Sequence, residues 1–63
     1  MKTQLRTERE TQGLSVRQLA RFADTTAATI SRIERGLIAD PRPALQVRIA
    51  RALRVPLDRV FPR

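Results

Sequence analysis

The 63 residues, 41% of them hydrophobic, carry 13 basic side chains against 6 acidic ones, a formal net charge of +7. A chain of this length accommodates one small domain, residues 1–63, and buries only about 60% of the surface its unfolded form exposes, so its packing must be efficient or assisted. Without cysteine or histidine, disulfides and the usual zinc ligand sets are excluded, and the longest apolar run, Leu37-Ile38-Ala39, is far short of the ~20 residues of a membrane span.

No signal-peptide pattern opens the chain, so the expectation is a soluble protein of the cytoplasm. An isoelectric point near 11.9 creates a positive field that favours a polyanion, with nucleic acid first among the candidates. Of the 13 basic residues only Lys2 is lysine, and the arginines are spread along the chain. That spread suits a folded basic surface better than a disordered arm.

The spacing predicts helices almost throughout. A first helix runs from about Gln4 to Gln12, weakly amphipathic with Leu5 as its clear anchor, and Gly13 ends it by taking a positive φ. Ser15 with Gln18 three residues later forms a capping box that opens a second helix, whose Val16, Leu19, Ala20 and Ala23 line one face. A third helix extends from about Ala27 to Arg35, capped by Thr26 and stopped by Gly36, with Ile30, Ile33 and Leu37 as its buried set. After a loop over residues 37–42, Pro43 starts a fourth helix that carries Leu45, Ile49, Ala52 and Leu53 inward and turns Arg48 and Arg51 elsewhere. Pro56 opens a short last turn over residues 57–61, with Asp58 near its positive end and Pro62 closing the chain. No strand, internal repeat or low-complexity segment is evident.

Two helices joined by only Asp24-Thr25-Thr26 cannot remain collinear, so the second crosses the first and presents its outward face as a separate surface. That is helix-turn-helix geometry, and residues 16–35 resemble that motif position by position, with Ala20 as the small residue where its two helices touch. A helix beginning at Thr26 aims unpaired N–H groups and a positive dipole end outward, where a phosphate can be held while its first outward side chains reach base edges. By that geometry Ala27, Ala28, Ser31 and Arg32 face a DNA groove. Arg32 has the fork that pairs with guanine O6 and N7, and the alanines can meet thymine methyls or simply favour helix. Arg17, Arg21, Thr26, Arg35 and Arg42 flank this face as phosphate contacts, the arginines being equally readable as solvated surface charges.

The surrounding motifs are L-R-x-x-R-E at residues 5–10, G-L-S at 13–15, Q-L-A at 18–20, I-S-R-I-E-R-G at 30–36, I-A-R-A-L at 49–53 and V-P-L-D-R-V-F at 55–61. Together they resemble the lambda repressor and Cro-type, or xenobiotic-response-element, helix-turn-helix family over essentially the whole chain. The resemblance implies an all-α, five-helix prokaryotic or phage DNA-binding domain. Its third helix would enter the major groove of an operator, usually as half of a two-fold dimer, in a repressor-like regulator. It also implies a structural salt bridge between Arg9 and Glu34, and pairing through the last helix, for which Leu37, Ile38, Val60 and Phe61 are the apolar candidates, Val60 and Phe61 being readable also as closing the core of the single domain. Four departures stand out: Val16 where the family commonly has glutamine, Asp24 and Arg54 where glycine is usual, and Glu8 where an apolar residue is frequent.

Other functions fit less well. An enzyme would lack His, Cys, Tyr and Trp, and Lys2 lies in a terminus expected to fray. The carboxylates have no metal-binding spacing, and nothing points to a cofactor or small-molecule ligand. A membrane binder would want tryptophan and one continuous apolar face rather than a buried stripe on each helix. The same fold serving as an antitoxin-like protein-interaction module is the standing alternative, and a small, basic third-helix face favours DNA over it.

Overall fold

Helix ends in this chain are set by polar caps, prolines and left-handed residues. The computed structural model describes residues 3–62, so the expectation for Lys2 falls outside the described residues. The helices are α1 (Gln4–Thr11), α2 (Val16–Phe22), α3 (Ala27–Glu34), α4 (Pro43–Leu53) and α5 (Leu57–Val60), and no strand occurs among the described residues. Thr3 Oγ1 accepts the Arg6 amide at 3.1 Å to cap α1. Ser15 Oγ accepts from the Gln18 amide at 3.0 Å while Gln18 Oε1 accepts from the Ser15 amide at 2.8 Å, the reciprocal box that opens α2. Pro43 begins α4, where its missing N–H costs nothing.

Left-handed residues turn the chain out of each of the first four helices. Gly13 and Gly36 take φ of 71° and 78° after α1 and α3, whereas Asp24 and Arg54 take 56° and 57° after α2 and α4. The two non-glycine cases are the positions where the resembled family uses glycine, so the backbone keeps the family's turn and the Cβ is accommodated at a cost.

The core is assembled from one or two large side chains per helix. Leu5 of α1, Leu19 of α2, Ile30 of α3, and Ile49 and Leu53 of α4 are essentially sealed from solvent, and Val60 of α5 closes the cluster. Each buried aliphatic side chain contributes about 1.5–3 kcal/mol, so these few contacts dominate the stability of so small a domain. The α2 and α3 helices pack most extensively on each other, α4 rests on α2, and α5 bridges α1 and α4.

Two sequence expectations are corrected here. Leu37 is 67% exposed instead of extending the buried stripe of α3, because Gly36 has already turned the chain away from the helix axis before residue 37. Val60 is 4% exposed and belongs to the core of the domain, so it is not available for pairing. Phe61 and Ile38 are half-buried against the same core. Glu8 is half-buried as well, with Oε1 4.0 Å from Arg59 Nη1, so an α1–α5 ion pair stands where an apolar contact is frequent in the resembled family.

Candidate nucleic-acid interface

The α2–turn–α3 unit is built by local hydrogen bonds. The Asp24 amide donates to Arg21 O at 3.2 Å and the Thr25 amide to Ala20 O at 2.9 Å, closing the last turn of α2. Thr26 then caps α3, its Oγ1 accepting from the Thr29 amide at 3.1 Å and lying 2.9 Å from Thr29 Oγ1. The amides of Ala27 and Ala28 precede the first residue that can bond back within the helix, so the positive end of α3 stays open to a ligand.

Ile30 and Ile33 anchor one side of α3 in the core, which leaves Ala28, Ser31, Arg32 and Arg35 along the opposite arc. Ala28, Arg32 and Arg35 are exposed and Ser31 is half-buried. Ala27 sits at the inner edge of this face and packs on the core, so of the two alanines Ala28 is the one presented outward. Arg17 and Arg21 lie one turn apart on α2, both exposed, and Arg42 is exposed at the start of α4. None of Arg17, Arg21, Arg32, Arg35 and Arg42 enters an ion pair among the described residues. Their donors are therefore uncommitted, in contrast to Arg6, which is paired with Glu10 on α1.

The inner flank of α3 is held by a bidentate pair. Arg9 Nε is 2.6 Å from Glu34 Oε2 and Nη2 is 3.0 Å from Oε1, while Nη1 donates to Leu14 O at 2.7 Å. Their side chains are 11% and 6% exposed. One guanidinium thus ties α1 to the last turn of α3 and to the entry of α2. The hydrogen bond to Glu34 holds the Arg9 guanidinium in its charged form beyond the ordinary arginine range, with burial opposing it and the nearby carboxylate charges of Glu34 and Glu10 adding to it. Glu34 therefore faces α1 and not the outward face of α3.

Three polar ties were not evident from spacing. Gln12 Nε2 donates to Leu53 O at 2.6 Å, joining the ends of α1 and α4. Arg48 Nε donates to Ala23 O at 3.0 Å, and Gln46 Nε2 donates to Pro41 O at 2.7 Å and Asp40 Oδ1 at 3.2 Å. The one available signal was Gln46 itself, a polar residue within the apolar stripe of α4, three residues before Ile49.

Residues 3–60 match the helix-turn-helix domain family. The chain belongs to that family. This helix-turn-helix domain is 46% identical over 55 residues to the HTH-type transcriptional repressor RghR of Bacillus subtilis, a match covering 87% of the chain and 41% of the relative. It is 40% identical over 58 residues to the uncharacterized HTH-type transcriptional regulator RghRB of the same organism, covering 92% of the chain and 42% of that relative. The domain thus spans about two fifths of the length of these curated relatives. No solved structure matches it. The likeness to the lambda repressor and Cro type read from the sequence agrees with this membership.

Proposed function

We propose that this helix-turn-helix domain binds double-stranded DNA sequence-specifically and regulates transcription, in the repressor-like manner that the name of its Bacillus relative states for that protein. The observation that carries the reading is the outward face of α3. There an uncommitted Arg32 stands beside the small Ala28 and Ser31, so the helix can approach base edges closely. Arg17, Arg21, Arg35 and Arg42, with the Thr26 end of α3, supply phosphate contacts around it. The site of action would be the bacterial cytoplasm, where such DNA is accessible.

The domain would act in pairs. Its described part measures 25 × 23 × 22 Å, less than the roughly 34 Å between major-groove half-sites on one DNA face, so one copy reads a single half-site. Leu37, exposed in the α3–α4 loop, with the half-buried Ile38 and Phe61, offers a small apolar contact that fits a weak dimer stabilised by adjacent half-sites on DNA. Selection of bound sequences from a random duplex pool tests both ideas at once. A palindromic consensus supports paired binding, a single non-repeated half-site refutes pairing, and no enrichment refutes sequence-specific recognition.

A further inference from the structure

Gln46 and Arg48 lie two residues apart on α4 and reach opposite ends of the segment that contains α3. Arg48 Nε donates at 3.0 Å to the carbonyl oxygen of Ala23, the C-cap residue between α2 and the turn. Gln46 is buried, and its Nε2 donates to Pro41 O at 2.7 Å and to Asp40 Oδ1 at 3.2 Å in the loop that follows α3. Because both neighbours of that amide nitrogen are acceptors, the orientation of the Gln46 amide is determined. Ala23 O is one of the carbonyls a helix leaves without an internal partner, so the bond from Arg48 replaces water at a fixed direction.

These bonds serve no need of the apolar core. Position 46 lies among the buried residues of α4, three residues before Ile49, and a buried amide in that place is retained against a desolvation cost. What the two side chains have in common is α3. Ile30 and Ile33 fix the helix against α2 and the core and the Arg9–Glu34 pair fixes its last turn, which leaves the turn before α3 and the loop after it to be given a direction by other bonds. Hydrogen bonds to the turn before it and the loop after it supply that direction. Arg42, at the start of α4 directly after the gripped Pro41, is carried by the same loop.

We propose that Gln46 and Arg48 are positioning residues: a two-point polar brace on α4 that sets the pose of α3, and of Arg42 beside it, for sequence-specific DNA binding. The proposal rests on the DNA-binding reading above, and the experiment separates the two.

The variants are Gln46→Leu, which keeps the stripe filled, and Arg48→Met, which keeps the aliphatic stem; Ile49→Val lowers stability without touching either turn. Affinities for the selected duplex and for a random duplex are measured across a salt series, together with amide exchange at Thr25 and Leu37, whose N–H groups bond to Ala20 O and Arg32 O within the two turns. Losing one such bond corresponds to about a tenfold effect. Each brace variant should therefore lose about tenfold on the selected duplex and less than about twofold on the random one, with the salt slope unchanged. Exchange should accelerate at Thr25 for Arg48→Met and at Leu37 for Gln46→Leu, whereas Ile49→Val leaves the specificity ratio intact. Parallel losses on both duplexes, or a ratio that falls equally in Ile49→Val, would overturn the brace. A salt slope shallower by about 0.9 in Arg48→Met would make Arg48 a phosphate ligand instead and also overturn it. If the unaltered domain binds no duplex, the DNA reading fails, and exchange alone decides: local acceleration upholds a structural brace and uniform exchange refutes it.

Discussion

Replacing Glu34 by alanine isolates the bond that joins α1 to α3. Glu34 accepts two hydrogen bonds from Arg9, at 2.6 and 3.0 Å, and its side chain is 6% exposed. The substitution leaves a guanidinium with one remaining partner, Leu14 O, in a site from which most water is excluded. Breaking such a pair from one side costs about 3–5 kcal/mol, mostly as the penalty of the stranded charge. A domain held together at about 0.05–0.15 kcal/mol per residue has only about 3–9 kcal/mol in total, so Glu34→Ala should remove roughly half or more of its stability. Urea unfolding followed by circular dichroism measures this directly. The double variant Arg9→Met/Glu34→Leu removes both charges and should recover most of the loss, falling short by about 1 kcal/mol for the orphaned Leu14 carbonyl. A Glu34→Ala protein within about 0.5 kcal/mol of the parent would refute the argument, as would a double variant no better than the single one. The raised Arg9 ionisation carries a linkage sign. Its contribution is fully present below the ordinary arginine range and is lost only as pH rises beyond it, so Arg9 adds no pH dependence near neutrality.

Arg54→Gly should raise the urea midpoint by the equivalent of a few tenths to about 1 kcal/mol, because residue 54 sits at φ 57° and glycine has no Cβ to penalise there; a lower midpoint would mean that the Arg54 side chain contributes more than the strain it imposes. Arg32→Ala should cost about 1–3 kcal/mol on a selected duplex and little on random DNA, whereas Arg42→Ala should weaken both alike, as fluorescence anisotropy titrations would report. With about four phosphate contacts per copy, log Kd should change with log salt at a slope of magnitude about 3–4, and salt-independent binding would contradict a phosphate-based interface.

Much of the helical framework was legible because its signals are local. A capping box, a capping threonine, two glycines and a proline at the first helical position act within four residues of themselves, so Ser15, Gly13, Thr26, Gly36 and Pro43 marked the helix ends within a residue or two. Periodicity likewise located Leu19, Ile30, Ile49 and Leu53 in the core. It failed at Leu37, where a helical projection was continued past a left-handed glycine, and at Val60, where a four-residue helix is too short to display a period. The inward isoleucines of α3 also placed Ala28, Ser31 and Arg32 on its outward side, with Ala27 at the margin of that side. Gln12, Gln46 and Arg48 were beyond reach for a different reason. Each bonds a backbone carbonyl, and any residue can supply one, so the partner leaves no trace in the sequence.

The helices themselves are short, with 8, 7, 8, 11 and 4 residues in chain order. Isolated helices below about 12–15 residues are marginal in water, because nucleating the first turn fixes several residues for one hydrogen bond. No helix among the described residues is therefore long enough to be stable by itself. The two-helix unit that would touch DNA is no exception: cut out as a peptide over residues 15–36, it would lose Leu5, Ile49 and Leu53 from beneath it and collapse to coil. In this domain the motif depends on the helices packed beneath it. Folding and the capacity to read a sequence should consequently appear in one cooperative step.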